Sequence, residues 1–484
     1  MPKTRPEASA GDVSGGAGGW KRMRRVPDPI AKAWVLLAAA LTVLLPLEAI
    51  ATTYYVRQTV GDDSHDGTSP DTAWQHIEKL SSAMHAGDVA YIGPGLYREQ
   101  ITVLNDGAPD KRMTFIADTT GQHTGDPPGI VMITGADPLD VSGFVPEGAP
   151  GVYKAPFSRP IFDLVEMDGD QVRYWRVKSR NELPLPEGVS EVDLVRQRPS
   201  SLFYDMDAKM LYVHTSDGRP PSAHEMEHMG RDSGIRVAEK HYVTVMGFTF
   251  RHTLDGGITF YSATDCIAVN NTSYGSRQGI RVYGGATNIT AYGNTLFRNE
   301  NCGIYFAAMS TNGLVIGNTM YENVKGIRWS SQSANGTAVD NVLFDNHEFG
   351  ISIENADHTL LRRNRMVNNE KAQLSTVESN YSSDDSCFAN GGPEQLIASL
   401  FFVGQYRTLA DYQRGQRQDL GSREGDCGPP PAKVDVHKLH EEAKSYAERA
   451  RRILSGAETS TSEAPKGPPP ESAVGSWLKW LRGR

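Results

Sequence analysis

Residues 257–304 read GITFYSATDCIAVNNTSYGSRQ, GIRVYGGATNITAYGNTLFRNENC and GI, which are two complete repeats and the start of a third. The Gly-Ile dipeptide that opens each repeat returns at residues 326 and 350, so its spacings are 22, 24, 23 and 24 residues. A fixed period of this length indicates a solenoid, in which each unit packs only on its neighbours. One asparagine per repeat follows the same period, at Asn271, Asn294, Asn318, Asn341 and Asn364.

Short apolar runs in every repeat predict strands and not helices. Examples are residues 304–306, Ile-Tyr-Phe, and residues 314–316, Leu-Val-Ile, in a sequence rich in glycine and asparagine turn signals. The Leu-x-x-Leu-x-Leu signature of a leucine-rich repeat is missing from the sequence. Several short strands in each repeat therefore predict an all-β fold, with one coil of a parallel β-helix per repeat.

The recurring asparagines have a structural explanation. Asparagine tolerates left-handed turns, and its amide can bond to the backbone of the next coil to form a ladder. We therefore expect these side chains to hold the coils together and not to bind a substrate. A second column with the same expected role consists of Asn299, Asn323, Asn346 and Asn369.

The region before the repeats carries a second pattern. Residues 61–70, GDDSHDGTSP, form a turn-rich loop, and the stretch from Thr72 to His85 has helical spacing. Residues 86–99, AGDVAYIGPGLYRE, then predict two strands joined by a tight turn. Together these segments resemble the N-terminal cap of the pectate-lyase-like, right-handed β-helix superfamily. Similar lead-in and closing segments lie at residues 202–214, 242–250 and 406–413.

This resemblance implies a right-handed parallel β-helix with an N-terminal capping helix. A cap is expected on physical grounds, because terminal coils must cover their core and their strand edges. The resemblance does not specify a reaction, since one fold serves many functions.

The first 51 residues have the order of an export signal. A basic cluster at residues 21–25 precedes an apolar run from Ala33 to Leu47, and Ala49-Ile50-Ala51 supplies small residues for cleavage. Residues 1–51 therefore predict a signal peptide or an N-terminal anchor. The mature protein is expected to be periplasmic or extracellular.

The remaining chain divides into a solenoid and a tail. We assign residues 52–427 to the β-helix, with cap and lead-in strands at 52–235, regular coils at 236–379 and a closing segment at 380–427. Residues 428–484 are expected to hold a C-terminal helix, over 437–454, and a Pro/Ser-rich tail that is helical or disordered. That tail ends in apolar and aromatic residues, so it is a candidate for contact with a membrane surface or a protein partner.

Charge and cysteine content limit the remaining possibilities. The chain has 49 basic and 58 acidic residues and a net charge of −9, which disfavours generic binding of nucleic acids. Cys387 and Cys427 flank one late segment and are candidates for a disulfide after export. Cys266 and Cys302 lie in the repeats, where we expect small buried side chains.

The residues after each repeated isoleucine should line one outer face. If the isoleucine points inward, the next residue points outward, and so does the residue two positions later. Arg281 and Arg328 then lie two coils apart, roughly 10 Å, with Tyr305 between them. The first outward column is Thr259, Arg281, Tyr305, Arg328 and Ser352, and the second is Tyr261, Tyr283, Ala307, Ser330 and Glu354.

Guanidinium groups and aromatic rings on one face predict a carbohydrate site. Sugars bind on aromatic faces, here Tyr261 and Tyr283, and carboxylated sugars bind guanidinium forks. We therefore predict an extended, uronate-containing polysaccharide as the partner. A lyase that cleaves it by β-elimination needs a cation for the developing charge and a base for the C5 proton. Arg281 or Arg328 is the candidate cation, and Tyr305 or the other arginine is the candidate base.

Related lyases often bind Ca²⁺, so the resemblance makes calcium a possible cofactor. A calcium site needs a cluster of oxygen ligands. Glu322, Glu348 and Glu354 can supply such oxygens, but no motif fixes a metal site, and the metal ligands stay unknown.

Two other functions are open at this point. A glycoside hydrolase needs two carboxyl groups ~5–9.5 Å apart, and Glu354 with Glu322, Glu348 or Asp255 is a candidate pair. A glycan-binding protein without catalysis can use the same face. In each case His252 and Asp255, just before the first repeat, are candidate substrate-binding residues at the edge of the groove.

One familiar motif is rejected. Residues 224–228, HEMEH, match the H-E-x-x-H signature of zinc proteases. That signature requires both histidines on one face of a helix. Pro220 and Pro221 stand just before it and Gly230 just after it, in a segment that reads as a strand, so we expect no zinc-protease site.

Overall fold

The computed structural model describes residues 51–178 and 182–455. The predicted export signal at residues 1–50 and the tail after residue 455 lie outside the described residues. The described chain is a right-handed parallel β-helix, as the repeat and the family resemblance together predict, built from three ten-stranded sheets.

Each complete coil contributes one strand to each of the three sheets, and sheet 3 ends in an antiparallel hairpin strand. Sheet 1 contains Thr53–Val56, Val89–Ile92, Met113–Ala117, Val243–Met246, Ile267–Val269, Thr290–Tyr292, Leu314–Ile316, Thr337–Val339, Thr359–Arg362 and Tyr381–Asp384. Sheet 2 contains Gly95–Tyr97, Val131–Thr134, Thr249–Arg251, Thr272–Tyr274, Thr295–Phe297, Thr319–Tyr321, Val342–Phe344, Arg365–Val367, Cys387–Ala389 and Arg423–Glu424. Sheet 3 contains Ile101–Val103, Ser233–Ala238, Gly256–Tyr261, Gln278–Tyr283, Cys302–Phe306, Lys325–Ser330, Phe349–Glu354, Ala372–Val377, Leu396–Leu400 and Gly404–Tyr406.

The Gly-Ile repeat has a steric cause in sheet 3. The repeated isoleucines are buried in the main core, as expected. A Cβ on Gly279 would lie 2.7 Å from the carbonyl oxygen of Gly303, and one on Gly303 would lie 2.8 Å from that of Gly326. Glycine therefore allows successive coils to approach closely at this point, and the adjacent isoleucine fills the core.

The predicted asparagine ladder is confirmed. The fully buried Asn318 donates its backbone N–H and its amide N–H to Oδ1 of Asn341, at 2.9 and 3.0 Å, and its amide also donates to the carbonyl of Ala291 at 3.0 Å. Its own Oδ1 accepts two bonds from Asn294, both at 2.9 Å. Each asparagine thus satisfies buried polar groups on both neighbouring coils.

Replacing Asn318 with alanine is expected to lower the free energy of unfolding by about 3 kcal/mol, because it leaves several buried polar groups without partners. Chemical denaturation monitored by circular dichroism measures this change. The matched control is Asn380→Ala, since the amide of Asn380 bonds to Asp357 at the exposed surface. We expect less than about 1 kcal/mol for the control. Equal losses in the two variants would contradict a special role for the buried ladder.

A separate lobe interrupts the solenoid between Thr134 and Ser233. It has a four-stranded sheet, Val172–Arg173, Leu164–Glu166, Met226–Met229 and Ala136–Pro138. It also has a five-stranded sheet, Trp175–Arg176, Ser201–Asp205, Met210–His214, Val152–Pro156 and Val145–Pro146, and helix α2 at Glu191–Gln197.

The lobe corrects the prediction that residues 52–235 are cap and lead-in strands. Most of its strand pairs are antiparallel, and it has a small apolar core of its own that includes Leu202 and Leu211. Strand Met210–His214 alternates between half-buried and buried residues, which is typical of a sheet with one face on a core. We name residues 136–229 the lobe.

The N-terminal cap contains less helix than predicted for residues 72–85. Two 3-10 turns, at Pro70–Thr72 and Ile77–Lys79, precede helix α1 at Leu80–Ala83. The backbone of Trp74 instead bonds to the first strand, through the carbonyl of Tyr55 and the N–H of Arg57. This pairing takes Trp74 out of any helix. Its ring and the side chains of Ile77 and Leu80 still enter the main core.

The C-terminal end closes with a hairpin, a helix and a disulfide. Helix α3, Leu409–Gln416, places Leu409 and Tyr412 in the main core. Cys387 and Cys427 form the expected disulfide. Cys266 and Cys302 are buried as predicted, and burial raises the pKa of each thiol to about 12.

Helix α4, Val436–Leu454, runs along the outside of sheet 2. Just before it, Val434 donates its N–H to the hydroxyl of Tyr321 at 2.8 Å. Near its other end, the hydroxyl of Tyr446 donates to the carbonyl of Pro127 at 2.7 Å. The helix therefore contacts both early and late coils. None of the helices in the described part of the chain is long and apolar enough to cross a bilayer.

Candidate functional site

The predicted columns of sheet 3 align in register except at Ala307, which lies just after its strand. Their outward exposure is only partial, because Thr259, Ser352, Ser330 and Ala307 are buried. Arg281 pairs in register with Tyr305, and Tyr305 pairs with Arg328 on the next coil. Tyr261 pairs with Tyr283, and Ser330 pairs with Glu354. We name the surface formed by Tyr261, Arg281, Tyr283, Tyr305, Arg328 and Glu354 the Arg–Tyr face.

One half of the Arg–Tyr face is centred on Arg281. Its guanidinium forms an ion pair with Asp255 and lies 4.0 Å from the centre of the Tyr283 ring. The Tyr283 ring is 4.9 Å from that of Tyr261. Asp255 is therefore next to the face, as the sequence predicted, and it orients an arginine.

The other half is centred on Arg328. Its guanidinium donates to Glu354, with Nη2 at 2.5 Å and Nε at 3.1 Å from Oε2, and lies 5.0 Å from the Tyr305 ring. Burial alone would lower the pKa of Arg328, but the bonds and charge of Glu354 outweigh it and raise that pKa. Arg328 therefore stays charged. The hydroxyl of Tyr305 is 2.9 Å from Oγ of Ser330, which holds the ring in place.

The acidic candidates on this side are ion-paired. Nζ of Lys325 lies 3.1 Å from Glu348 and 3.7 Å from Glu354. Burial would raise the pKa of both carboxyls, but their hydrogen bonds and the nearby cations lower both values. Glu322 likewise forms ion pairs with Arg298 and with Lys433. Burial would raise its pKa, but these partners lower it.

These ion pairs bear on the expected calcium ligands. The oxygens of Glu322, Glu348 and Glu354 face guanidinium and ammonium groups, which are cations that already balance their charge. The three residues therefore do not fit a calcium site, and no step of the chemistry below passes through calcium.

Lys325 is a site residue that the sequence interpretation missed. Strict alternation from Ile327 assigns it to the interior, where its partner Cys302 is indeed buried. Because a lysine is rarely fully buried, its residue type could have indicated that the ammonium reaches the surface. In the structure its ammonium reaches the acidic side of the Arg–Tyr face.

The expected place of His252 at the groove edge is wrong. It lies in the turn between sheets 2 and 3, is 2% exposed, and approaches Glu227 of the lobe at 3.6 Å. Glu227 also accepts bonds from Arg251 at 3.0 Å and from Arg98 at 2.7 Å. These contacts form a buried charge cluster where the lobe meets the solenoid.

Replacing His252 with glutamine is expected to flatten the pH dependence of stability between pH ~4 and ~6.5. Burial first, and then the charge of Arg251, lower the pKa of His252 to about 4, although Glu227 opposes them. The unfolded chain therefore binds this proton first as the pH falls. The stability from neutral His252 is complete above pH ~6.5 and is lost as the pH falls towards ~4.

Urea denaturation at a series of pH values measures the effect. In this window we expect the wild-type free energy of unfolding to change by up to about 1.4 kcal/mol more per pH unit than that of His252→Gln. His347→Gln is the control, because His347 pairs with Glu370 at the exposed surface. Identical slopes for His252→Gln and the wild type would contradict the argument.

The rejected H-E-x-x-H motif lies outside any α-helix, as expected. His224 follows a 3-10 turn at Pro221–Ala223, and the next residues enter strand Met226–Met229. His224 instead joins Glu166 and Asp168, at 3.3 and 2.7 Å from its Nδ1. Among the described residues this is a group of side chains whose type and spacing suit a metal ion. No sequence pattern predicts this group, because only the folding of the lobe brings the three residues together.

Comparison with known proteins agrees with the fold. A model of the family described as "Periplasmic copper-binding protein (NosD)" matches residues 209–390. No curated protein matches the sequence. The structure of XylC in complex with xylose is similar, with 15% identity and a TM-score of 0.51 over 72% of this chain and 70% of that chain.

Two other solved structures match this chain more weakly. Pectate lyase Pel9A has 13% identity and a TM-score of 0.43, over 79% of this chain and 82% of that one. The periplasmic alginate epimerase AlgG has 12% identity and a TM-score of 0.35, over 70% of this chain and 59% of that one. At these identities the comparisons bear on the fold alone.

Proposed function

We propose that this protein is exported and cleaves an acidic, uronate-containing polysaccharide by β-elimination on the Arg–Tyr face. The observation that carries the proposal is the column of Arg281, Tyr305 and Arg328 on three consecutive coils. Each arginine is fixed by a carboxylate and lies against a tyrosine ring. An extended acidic chain that lies along the coils meets both guanidinium groups.

Arg328 is the proposed carboxylate clamp. When the C5 proton leaves, negative charge develops on the uronate carboxyl group, and a fixed cation stabilises that charge. The raised pKa of Arg328 suits this role and disfavours the alternative role of base. Arg281, two coils away, binds a second carboxylate and sets the register of the chain.

Tyr305 is the proposed proton carrier, because its hydroxyl lies on the coil between the two arginines. In the reaction the C5–H bond breaks, its electron pair forms the C4–C5 double bond, and the C4–O bond breaks. Tyr305 takes the C5 proton and passes it to the leaving oxygen. The bond from Tyr305 to Ser330 holds the hydroxyl in one orientation for this transfer.

A glycoside hydrolase is the second candidate. Oxygens of Glu348 and Glu354 lie 3.1 and 3.7 Å from the same ammonium, which brings the two carboxyl groups close enough to be considered as a catalytic pair. However, one member of such a pair must hold a proton near neutral pH. Both pKa values are lowered, and this favours elimination over hydrolysis.

Two further points support export and a sugar ligand. The order of charged and apolar residues at 1–51 is typical of an export signal, and the matched family is described as periplasmic. The fold match XylC was solved with xylose bound, which is consistent with a carbohydrate ligand for this chain.

The test is absorbance of unsaturated uronate products while the purified full-length protein acts on a panel of acidic polysaccharides, with and without a chelator. We expect a rise in absorbance that the chelator does not abolish. New reducing ends without this absorbance would identify a hydrolase. Binding of the polymer without any cleavage would identify a glycan-binding protein and overturn the enzymatic proposal.

A further inference from the structure

A pocket of about 270 Å³ lies where the lobe meets the turns between sheets 2 and 3. The lobe contributes Gln171, Arg173 and Trp175, the turns contribute His252, Gly275, Arg298 and Glu300, and helix α4 contributes Val436. The turn residues lead into the strands that carry Arg281 and Tyr305. We name this cavity the corner pocket.

The walls of the corner pocket are fixed by ion pairs. Arg173 bridges Asp163 and Glu300, at 2.5 and 2.8 Å. Arg298 bonds to Glu322 at 2.7 Å and to the backbone carbonyl of Asp170 at 3.2 Å. The lining therefore pairs each guanidinium with a carboxylate, and it carries little net charge towards a ligand.

The inner wall is rigid as well. The ring of Tyr274 stacks on Phe297, with centres 5.1 Å apart, and meets the ring of His252 edge to face at 5.9 Å. A Cβ on Gly275 would lie 2.5 Å from the His252 ring, so only glycine fits at this position. Such a preformed cavity binds a ligand without first having to order its own side chains.

Three polar atoms of this wall lack a hydrogen bond of good geometry within the described residues. They are the hydroxyl of Tyr274, which lies beside the side chains of Gln171 and Arg251, the Oε1 atom of Gln171 and the Nη1 atom of Arg173. The hydroxyl of Tyr274 can donate and accept a hydrogen bond, Oε1 of Gln171 accepts, and Nη1 of Arg173 donates. A carboxylate would satisfy only donors, whereas neighbouring hydroxyl groups of a polyol satisfy all three. At the rim, the indole of Trp175 is 41% exposed and lies against the guanidinium of Arg198.

We propose that the corner pocket binds one neutral sugar ring, whose hydroxyls bond to the inner wall and whose apolar face lies on Trp175. Its volume suits a single ring and not an extended chain. The ring comes either from a branch of the acidic polysaccharide or from a free monosaccharide. The first source rests on the proposed function, because the pocket then positions a branched chain beside the Arg–Tyr face.

Saturation-transfer NMR with xylose, glucose, galactose and, as the charged comparison, galacturonate tests the proposal on the full-length protein. We expect at least one neutral sugar to bind more tightly than galacturonate. Trp175→Ala should weaken that binding about tenfold through the lost ring contact. Tyr274→Phe should weaken it about fivefold by the loss of one hydroxyl, since phenylalanine keeps the stack on Phe297. Phe402→Ala is the control, because Phe402 is also an exposed aromatic residue but lies on the closing hairpin.

Three results would overturn the proposal: no binding of any neutral sugar, equal or tighter binding of galacturonate, or unchanged affinity in both pocket variants. A higher KM of Trp175→Ala on a branched acidic polysaccharide, but not on its debranched form, would identify a branch as the source. Equal KM values on both polymers would identify the free sugar. The two proposals fail separately, because Arg328→Ala should lower the rate of elimination about a thousandfold and leave sugar binding intact.

Discussion

Replacing Arg328 with alanine is expected to lower the rate of uronate elimination by about a thousandfold, since a fixed cation that meets developing charge commonly contributes two to three orders of magnitude. Its stability cost should be small, about 1 kcal/mol, because the ion pair with Glu354 is partly exposed. Lys325 also remains near Glu354 to balance its charge. Initial rates of absorbance change at saturating polysaccharide measure the first effect, and thermal denaturation measures the second.

Two further variants define what the loss means. Arg363→Ala is the matched control, because Arg363 pairs with Asp340 at 2.8 Å on another surface of the solenoid, and its rate should equal that of the wild type. Arg328→Lys keeps the charge but loses the planar fork, so it should restore part of the rate. A wild-type rate in Arg328→Ala would show that this guanidinium does not meet the reacting carboxylate.

Replacing Glu227 with alanine should lower the free energy of unfolding by about 3–5 kcal/mol, which is the usual cost of leaving buried charges without a partner. Glu227 is 1% exposed and holds Arg251, which is fully buried, together with Arg98. Removing the carboxylate leaves Arg251 beside two uncharged groups, the His440 ring at 2.9 Å and the hydroxyl of Tyr274. Chemical denaturation at neutral pH measures the loss.

The control for this variant lies two residues away in the sequence. Glu225 is partly exposed and pairs with Lys444 and with His440, so Glu225→Ala should cost only about 1 kcal/mol. Burial would raise the pKa of Glu227, but His252, Arg251 and the other arginine lower it strongly. Its contribution is therefore present above the unfolded pKa of about 4.5 and is lost as the pH falls below that value. Equal losses for the two variants would contradict the cluster's importance.

The repeat sequence alone was sufficient to predict the solenoid and its outer columns. A period of 22–24 residues determines which residues share a face. The sequence alone therefore predicts the alignment of Arg281, Tyr305 and Arg328 on successive coils, and the strand register agrees. The same period assigned the asparagines a role in holding successive coils together. Local periodicity is informative here because each coil packs on its immediate neighbours.

The parts that could not be predicted depend on contacts between distant segments. His252 is buried by Glu227, which belongs to a lobe with no repeat of its own. The cap helix is short because Trp74 pairs with a strand about twenty residues earlier, which helical spacing cannot reveal. The corner pocket needs three separate segments, including helix α4, before its walls exist.

Helix α4 changes the mechanical character of a linear stack. In an array whose units touch only their neighbours, the end coils can peel away one at a time while the middle stays intact. Here helix α4 and the residues just before it form hydrogen bonds to Tyr321 at one end and to Pro127 at the other, so they connect early and late coils. Unfolding of the amino-terminal coils by force or by proteolysis must therefore also break the contacts of helix α4, which extend to coils much later in the chain. We infer that the first coils and the third repeat, which carries Tyr321, resist fraying as one unit because this helix connects them.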